Sequence, residues 1–244
     1  MRSAAFFLTL GLTAAAADTA ADTAPEPSPA LVAAVERLQL PGVKINLDER
    51  AVDVDATVCL DSGALELVAC TAETKQHESI VTIRAKAVHI HTALLLLGTK
   101  AGHPAMRQRV GGEDGYWVDV PPKGGKVDVS FVVPSEGGEP VERPVREFIA
   151  PNPDLFSAGE EPPSFPTDTF LFAGSRLVPN DDGPPTYICE REGNVISIAT
   201  FGDELLCLPK VHSKDNGALL WQVDPTHLPP VGTKVTLRLR PKKP

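Results

Sequence analysis

Cysteine is scarce in this 244-residue sequence, with four residues of which the first is Cys59. None stands beside the apolar N-terminal stretch, so the lipid that tethers a bacterial lipoprotein has no acceptor there. Long apolar runs are lacking too. Beyond the first residues the greasiest piece is 93–98, about one and a half helical turns, against the roughly 20 residues that a spanning helix needs. Basic charge is short, 23 Lys and Arg against 32 Asp and Glu, which argues against nucleic acid and anionic lipid as partners. There is no internal repeat, and no Gly-x-Ser-x-Gly turn of the kind that presents a hydrolase nucleophile.

What stands at the N-terminus is an export address. Arg2, an apolar run over 4–12 and small residues over 14–17 ahead of Asp18 have the charge, length and cleavage-site chemistry of a secretory signal peptide. The expectation is a signal peptide over 1–17 cleaved after Ala17 and a flexible spacer over 18–27 made of Ala, Asp, Thr, Glu and Pro, followed by a folded domain over 28–244. The product would be secreted or periplasmic, with no integral membrane segment after cleavage. The aperiodic, Pro- and Gly-rich stretch 150–168 either crosses the surface or joins two subdomains.

From Ser28 the patterning is regular. Ser28-Pro29 ahead of Leu31, Val32 and Val35 reads as an N-cap, a first-turn proline and an amphipathic helix stopped by Pro41-Gly42. Val43, Ile45 and Leu47 then alternate with polar residues, 48–50 turn, and Val52 and Val54 resume the alternation, which predicts a hairpin. Strands are expected over 57–60, 64–70 and 80–84, and a helix over 87–97 with Ile90, Leu94 and Leu97 on one side and Gly98 at its end. The remainder is strand-like: 127–133, a return over 141–149 placed at a sheet edge by Pro144, then 169–173, 186–191, 195–201, 205–208, 218–223 and 234–240. With 24 prolines and 19 glycines at the corners, this predicts a mainly β (α+β) fold, a strand-rich sandwich or barrel-like domain with one or two short packed helices.

In an exported chain four cysteines point to disulfides, with three possible connectivities. If 186–191, 195–201 and 205–208 form a meander, Cys189 and Cys207 lie on outer strands about 9–10 Å apart. A disulfide tolerates roughly 7 Å between α-carbons. Cys59 with Cys70 is the expected disulfide, although a turn at 61–63 sets Cys59 opposite Leu65 and the pair needs a wider loop. The alternative is four small buried apolar residues.

The densest polar stretch is Cys70-Thr71-Ala72-Glu73-Thr74-Lys75-Gln76-His77-Glu78-Ser79. As a ligand or partner surface it would act through Lys75, His77, Glu78 and Ser79. As a metal site it would use Cys70, His77 and Glu78 on a zinc or copper ion, in a metal-binding or redox accessory protein. His89 and His91 point about 200° apart on a helix, so at most one joins such a set. As a nucleophilic site it would use Ser79 or Cys70, with His77 as base and Glu78 or Glu66 as orienter, but no oxyanion donors can be named. The plainest account is that these groups satisfy the loop backbone and one another at a strand entrance. Elsewhere Gly174-Ser175 reads as a bulge or the floor of a site, and 212–216 as a solvated loop. Trp117 and Trp221 read as core or rim.

Leu65-Glu66-Leu67-Val68-Ala69-Cys70 with Thr74-Lys75-Gln76-His77-Glu78-Ser79, then 93–98 and Phe172-Ala173-Gly174-Ser175, resemble the YdjY family of bacterial proteins. The resemblance runs from the first hairpin to the strand at 232–237, and Lys-x-His-Glu-Ser is its most specific part. It implies Lys75, His77, Glu78 and Ser79 as the family's signature, and it implies no reaction. Some relatives are described in ferredoxin terms; this chain has no closely spaced four-cysteine run to hold an iron–sulfur cluster. The expectation is therefore an exported, non-enzymatic envelope or extracellular binding domain with its polar loop site at 70–79. No resident cofactor is expected, and the partner would be a protein or small ligand of the cell envelope.

Overall fold

The computed structural model of the protein describes residues 28–243, apart from 113–114, 136, 158 and 181–182. The expected signal peptide and spacer lie outside the described residues. Helix α1 (Pro29–Arg37) precedes β1 (Val43–Asn46), β2 (Ala51–Val58), β3 (Leu67–Thr71) and β4 (Ser79–Ile83). Helix α2 (Ala87–Leu96) leads to β5 (Met106–Val110), β6 (Tyr116–Val120), β7 (Gly125–Ser135), β8 (Gly138–Pro144) and β9 (Ile149–Pro151). Then come β10 (Thr169–Phe172), β11 (Leu177–Asn180), β12 (Gly183–Tyr187), the short helix α3 (Ile188–Glu192) and β13 (Ile196–Ser197). The chain continues through β14 (Leu206–Cys207), β15 (Trp221–Val223) and β16 (Lys234–Pro241).

Among the described residues, eight strands close a ring in the order β2, β16, β7, β10, β14, β13, β3, β4, with β4 returning to β2. The fold is mainly β, and of the two architectures expected it is the barrel-like one. Closure follows from period-two burial. Val52, Val54, Ala56 and Val58 of β2, Val127, Val129, Phe131 and Val133 of β7, and Val235, Leu237 and Leu239 of β16 are buried together. Strand β1 extends β2 outside the ring, and β8 pairs with β7 alone, as Pro144 at an edge predicts. Helix α2 buries Ala87, Ile90, Ala93 and Leu94. It stops at Gly98, whose φ of +84° suits a left-handed C-terminal cap.

Several expectations are corrected. Residues 57–60 are not a separate strand, because β2 runs on to Val58. Residues 186–191 divide between β12 and α3, so there is no meander, and β13 pairs with β14 in parallel. Strand β7, ahead of segment 150–168, pairs with β10, which follows it. Helix α1 forms as expected, with Ser28 Oγ accepting the Leu31 N–H at 3.3 Å, but it buries none of its residues.

The expected Cys59–Cys70 disulfide is absent, and all four cysteines are free. Cys59 bonds β4 from one side, its N–H donating to Ile80 O at 3.0 Å, whereas Cys70 pairs with Thr82 from the other. Two strands that flank a third stand about 9–10 Å apart, which is beyond disulfide reach.

Two neighbours in the ring, β3–β4 and β13–β14, are parallel. Parallel neighbours need a crossover rather than a hairpin. The crossovers, 72–78 and 198–205, belong to adjoining strands because β3 pairs with β13. That juxtaposition builds the site.

Candidate functional site

Glu66, at the foot of β3, ties the two crossovers together. Its carbonyl accepts the N–H groups of Ile198 at 2.8 Å and Ala199 at 2.9 Å, and its own N–H donates to Glu78 O at 3.1 Å. Its side chain is buried, with Oε2 3.5 Å from Lys75 Nζ. Lys75 Nζ also lies 3.2 Å from Glu78 Oε1 and 3.7 Å from the centre of the Phe201 ring. The ammonium therefore bridges the carboxylate at the foot of β3 and one of the first crossover, and caps an aromatic face of the other crossover. Burial first, then the neighbouring Glu78, push the Glu66 carboxyl above the ordinary carboxylate range, and Lys75 opposes the shift.

The rest of the polar loop turns inward on itself. Thr74 Oγ1 donates to Thr71 O at 2.6 Å, Thr71 Oγ1 to Glu190 O at 3.1 Å, and Ser79 Oγ to Lys75 O at 2.7 Å. Gly193 fits beneath this loop only because it lacks a side chain, since a Cβ there would stand 2.4 Å from Thr74 Oγ1. Of the four signature residues, Ser79 is fully buried, and its hydroxyl, donating to Lys75 O, shapes the loop. Lys75 and Glu78 form the charged cluster. His77 is 79% exposed, with Nε2 3.7 Å from Glu78 Oε2.

The metal set is not assembled. Cys70 is buried among the hydroxyls of Ser79, Thr82 and Thr74 and beside Cys59, while Glu78 turns to Lys75 and His77 faces solvent. Among the described residues no group of three or more His, Cys, Asp or Glu is placed to hold a metal ion. His89 and His91 diverge as expected, His89 Nδ1 meeting Pro41 O at 3.4 Å and His91 Nδ1 meeting Gly174 O at 3.2 Å.

Beyond Lys75, Phe201 lines a cleft of about 940 Å³ that runs to the β5–β6 arm and includes Met106, Arg107, Val120, Arg176 and Val211. The Phe201–Gly202 turn is held from inside by Glu204, whose Oε1 accepts both N–H groups. Glu204 is fully buried, its Oε2 has no partner, and burial pushes its carboxyl upward. Gly174 and Ser175 both adopt positive φ. A Cβ on Gly174 would come within 3.0 Å of the Ala101 Cβ, while Ser175 Oγ donates to Asp203 O at 2.7 Å. Gly174-Ser175 is thus a close-approach turn, and Ser175 is part of the cleft's lining.

The arm itself escaped the sequence reading. Its strands pair from Met106 with Val120 to Val110 with Tyr116 and expose Tyr116 (67%) and Trp117 (57%). Trp221, by contrast, is buried edge-on against Phe165. Gly111-Gly112 and Gly115 between two runs of alternating residues were the available hairpin signal.

A family model described as the YdjY domain matches residues 43–240, from the start of β1 into the last turn of the ring at β16. No curated protein and no solved structure matches the chain.

Proposed function

The chain belongs to the YdjY domain family, and we propose that it acts as a non-enzymatic binding domain of the cell envelope or extracellular space. In this reading the loop 70–79 is one wall of a ligand site that continues across Phe201 into the cleft under the β5–β6 arm. One observation carries it: Lys75 of the signature loop sits on the Phe201 ring, and Phe201 lines the cleft.

The chemistry of the walls suggests what is bound. Met106, Val120, Phe201 and Val211 offer apolar surface. Lys75 and Lys214 approach Phe201, Arg107 and Arg176 line the cleft, and Asp119 is the acid among the lining residues. With Lys75 held by Glu66 and Glu78, and Arg107 by Asp119, Arg176 and Lys214 are the further cations beside the apolar surface. This fits a ligand with an apolar body and an anionic group. The engaged hydroxyl of Ser79 and the burial of Cys70 support binding over catalysis.

The test uses anilinonaphthalene sulfonate, which has an aromatic body and one anionic group. The folded protein is expected to enhance its fluorescence at a single saturable site. Phe201→Ala and Arg176→Ala should each weaken binding about tenfold or more while leaving circular dichroism unchanged. Equal binding by wild type and both variants would sink the reading.

A further inference from the structure

We propose that Ser175 is a positioning residue for the Phe201 cleft: it locks the turn that sets Arg176 on the cleft wall, and Arg176 supplies the cation that selects ligands bearing an anionic group. The inference rests on the binding role proposed above and assigns where that site's preference for charge resides.

The other cations near the cleft are committed or set back. Lys75 Nζ lies 3.5 Å from Glu66 Oε2 and 3.2 Å from Glu78 Oε1, and Arg107 Nε lies 3.4 Å from Asp119 Oδ1. Lys214 stands 5.7 Å from the centre of the Phe201 ring, outside the residues that line the cleft. Arg176 lines the cleft, is exposed, and has no ion-pair partner among the described residues. Its guanidinium fork matches the paired oxygens of a carboxylate, phosphate or sulfonate.

Arg176 reaches the cleft wall because the chain turns sharply just before it. Strand β10 ends at Phe172, β11 starts at Leu177, and between them Gly174 (φ +89°) and Ser175 (φ +54°) both take the left-handed conformation. Glycine adopts it freely, whereas serine does so at a cost. What the serine adds is its hydroxyl. Ser175 Oγ donates to Asp203 O at 2.7 Å and accepts the Cys189 N–H at 3.2 Å, so one side chain pins the turn both to the crossover 198–205 and to α3. The backbone is held as well: the Gly174 N–H donates to Leu205 O at 3.0 Å, the Ser175 N–H to Glu204 O at 3.1 Å, and the Ile188 N–H to Arg176 O at 3.0 Å. A sterically unfavoured residue bonded on both sides is over-determined by its surroundings, and such conformations cluster at ligand-binding positions. The residue so fixed adjoins the cleft-lining cation that has no partner.

The experiment titrates the full chain with two fluorescent probes: anilinonaphthalene sulfonate, and N-phenyl-1-naphthylamine, which has the same rings without the sulfonate. Arg176→Ala should weaken the sulfonate about tenfold and leave the neutral probe within about twofold of wild type. Ser175→Ala should weaken the sulfonate about fivefold, again without moving the neutral probe. Combined with Arg176→Ala it should cost no more than Arg176→Ala alone, because the serine acts through the arginine. If Ser175→Ala fails to fold, Ser175→Gly, which suits the positive φ but lacks the hydroxyl, carries the same expectation. Additive losses in the double variant, equal loss of both probes in the serine variants, or sulfonate binding that those variants leave unchanged overturns the proposal. In each of those cases the cleft reading still stands if Phe201→Ala weakens both probes. If Phe201→Ala weakens neither, the cleft reading fails and this inference falls with it.

Discussion

The crossover 72–78 meets the cleft through the Lys75–Phe201 contact, the β5–β6 arm lines that cleft directly, and the two treat their side chains in opposite ways. The crossover is dense in polar groups, yet Thr71, Thr74, Lys75, Glu78 and Ser79 all bond within the structure. The arm has an ordinary composition, yet it leaves Tyr116, Trp117, Met106 and Val110 exposed. Polar density in a sequence thus marks where the backbone departs from regular structure and must be satisfied locally. Unpartnered apolar surface marks where something else can be gripped. Phe201 joins the two, capped by Lys75 and open to the cleft.

The comparison can be broken by mutation. The largest effect is expected for Lys75→Met, which leaves Glu66 and Glu78 facing each other without their cation. The side chain of Lys75 is 24% exposed, so the loss should be somewhat below the roughly 3–5 kcal/mol of a fully buried pair, about 2–3 kcal/mol in urea unfolding at neutral pH. It should shrink in acid, where Glu66, already raised by burial, accepts a proton and removes the repulsion. An unchanged urea midpoint would mean that the cluster is not structural.

Next comes a paired measurement on the two regions. Ser79→Ala removes a buried hydroxyl bonded to Lys75 O, and about 1–2 kcal/mol of stability should go with it. Tyr116→Ser and Trp117→Ser on the exposed arm should stay within about 0.5 kcal/mol of wild type. If the arm variants prove the costlier, the contrast between the regions is wrong.

A change of opposite sign is expected at Glu204. Its carboxyl is raised in the fold, so the protonated form is favoured there. That contribution is present below the unfolded carboxyl pKa and is lost as pH rises through the folded value. Glu204→Gln keeps an oxygen for the Phe201 and Gly202 N–H groups without the charge. It should stabilise the protein by about 1 kcal/mol near neutrality, with the gain fading toward acid pH in a Tm series. A variant less stable than wild type at neutral pH would show that the carboxylate is the form the turn needs.

The parts of the fold legible in the sequence were those written as a local period. The valines of β2 and β7, the Ile90–Leu94 stripe of α2 and its stop at Gly98 all show themselves within a few residues. The pattern over 186–191 misled because Ile188 and Cys189 look strand-like, whereas Gly193 with φ +90° closes them into a helical turn. The signature loop was found from its composition, but its role was not. Ser79 reads as chemistry until burial is known, and the contact of Lys75 with Phe201 joins two crossovers that no local pattern connects. The expected Cys59–Cys70 disulfide failed because the strand that separates the two cysteines appears only once β4 is placed.

The last strand carries a consequence for when this molecule becomes a molecule at all. Strand β16 lies between β2 and β7, and Arg238 grips Asp53, 185 positions earlier, through Nε at 2.6 Å and Nη2 at 2.8 Å. Until it is in place, the facing edges of β2 and β7 have no partners, and every earlier pairing belongs to an open sheet. The final contacts are among the most distant in sequence, which slows folding and leaves two sticky edges during the wait. The barrel therefore commits late, and only as a whole chain.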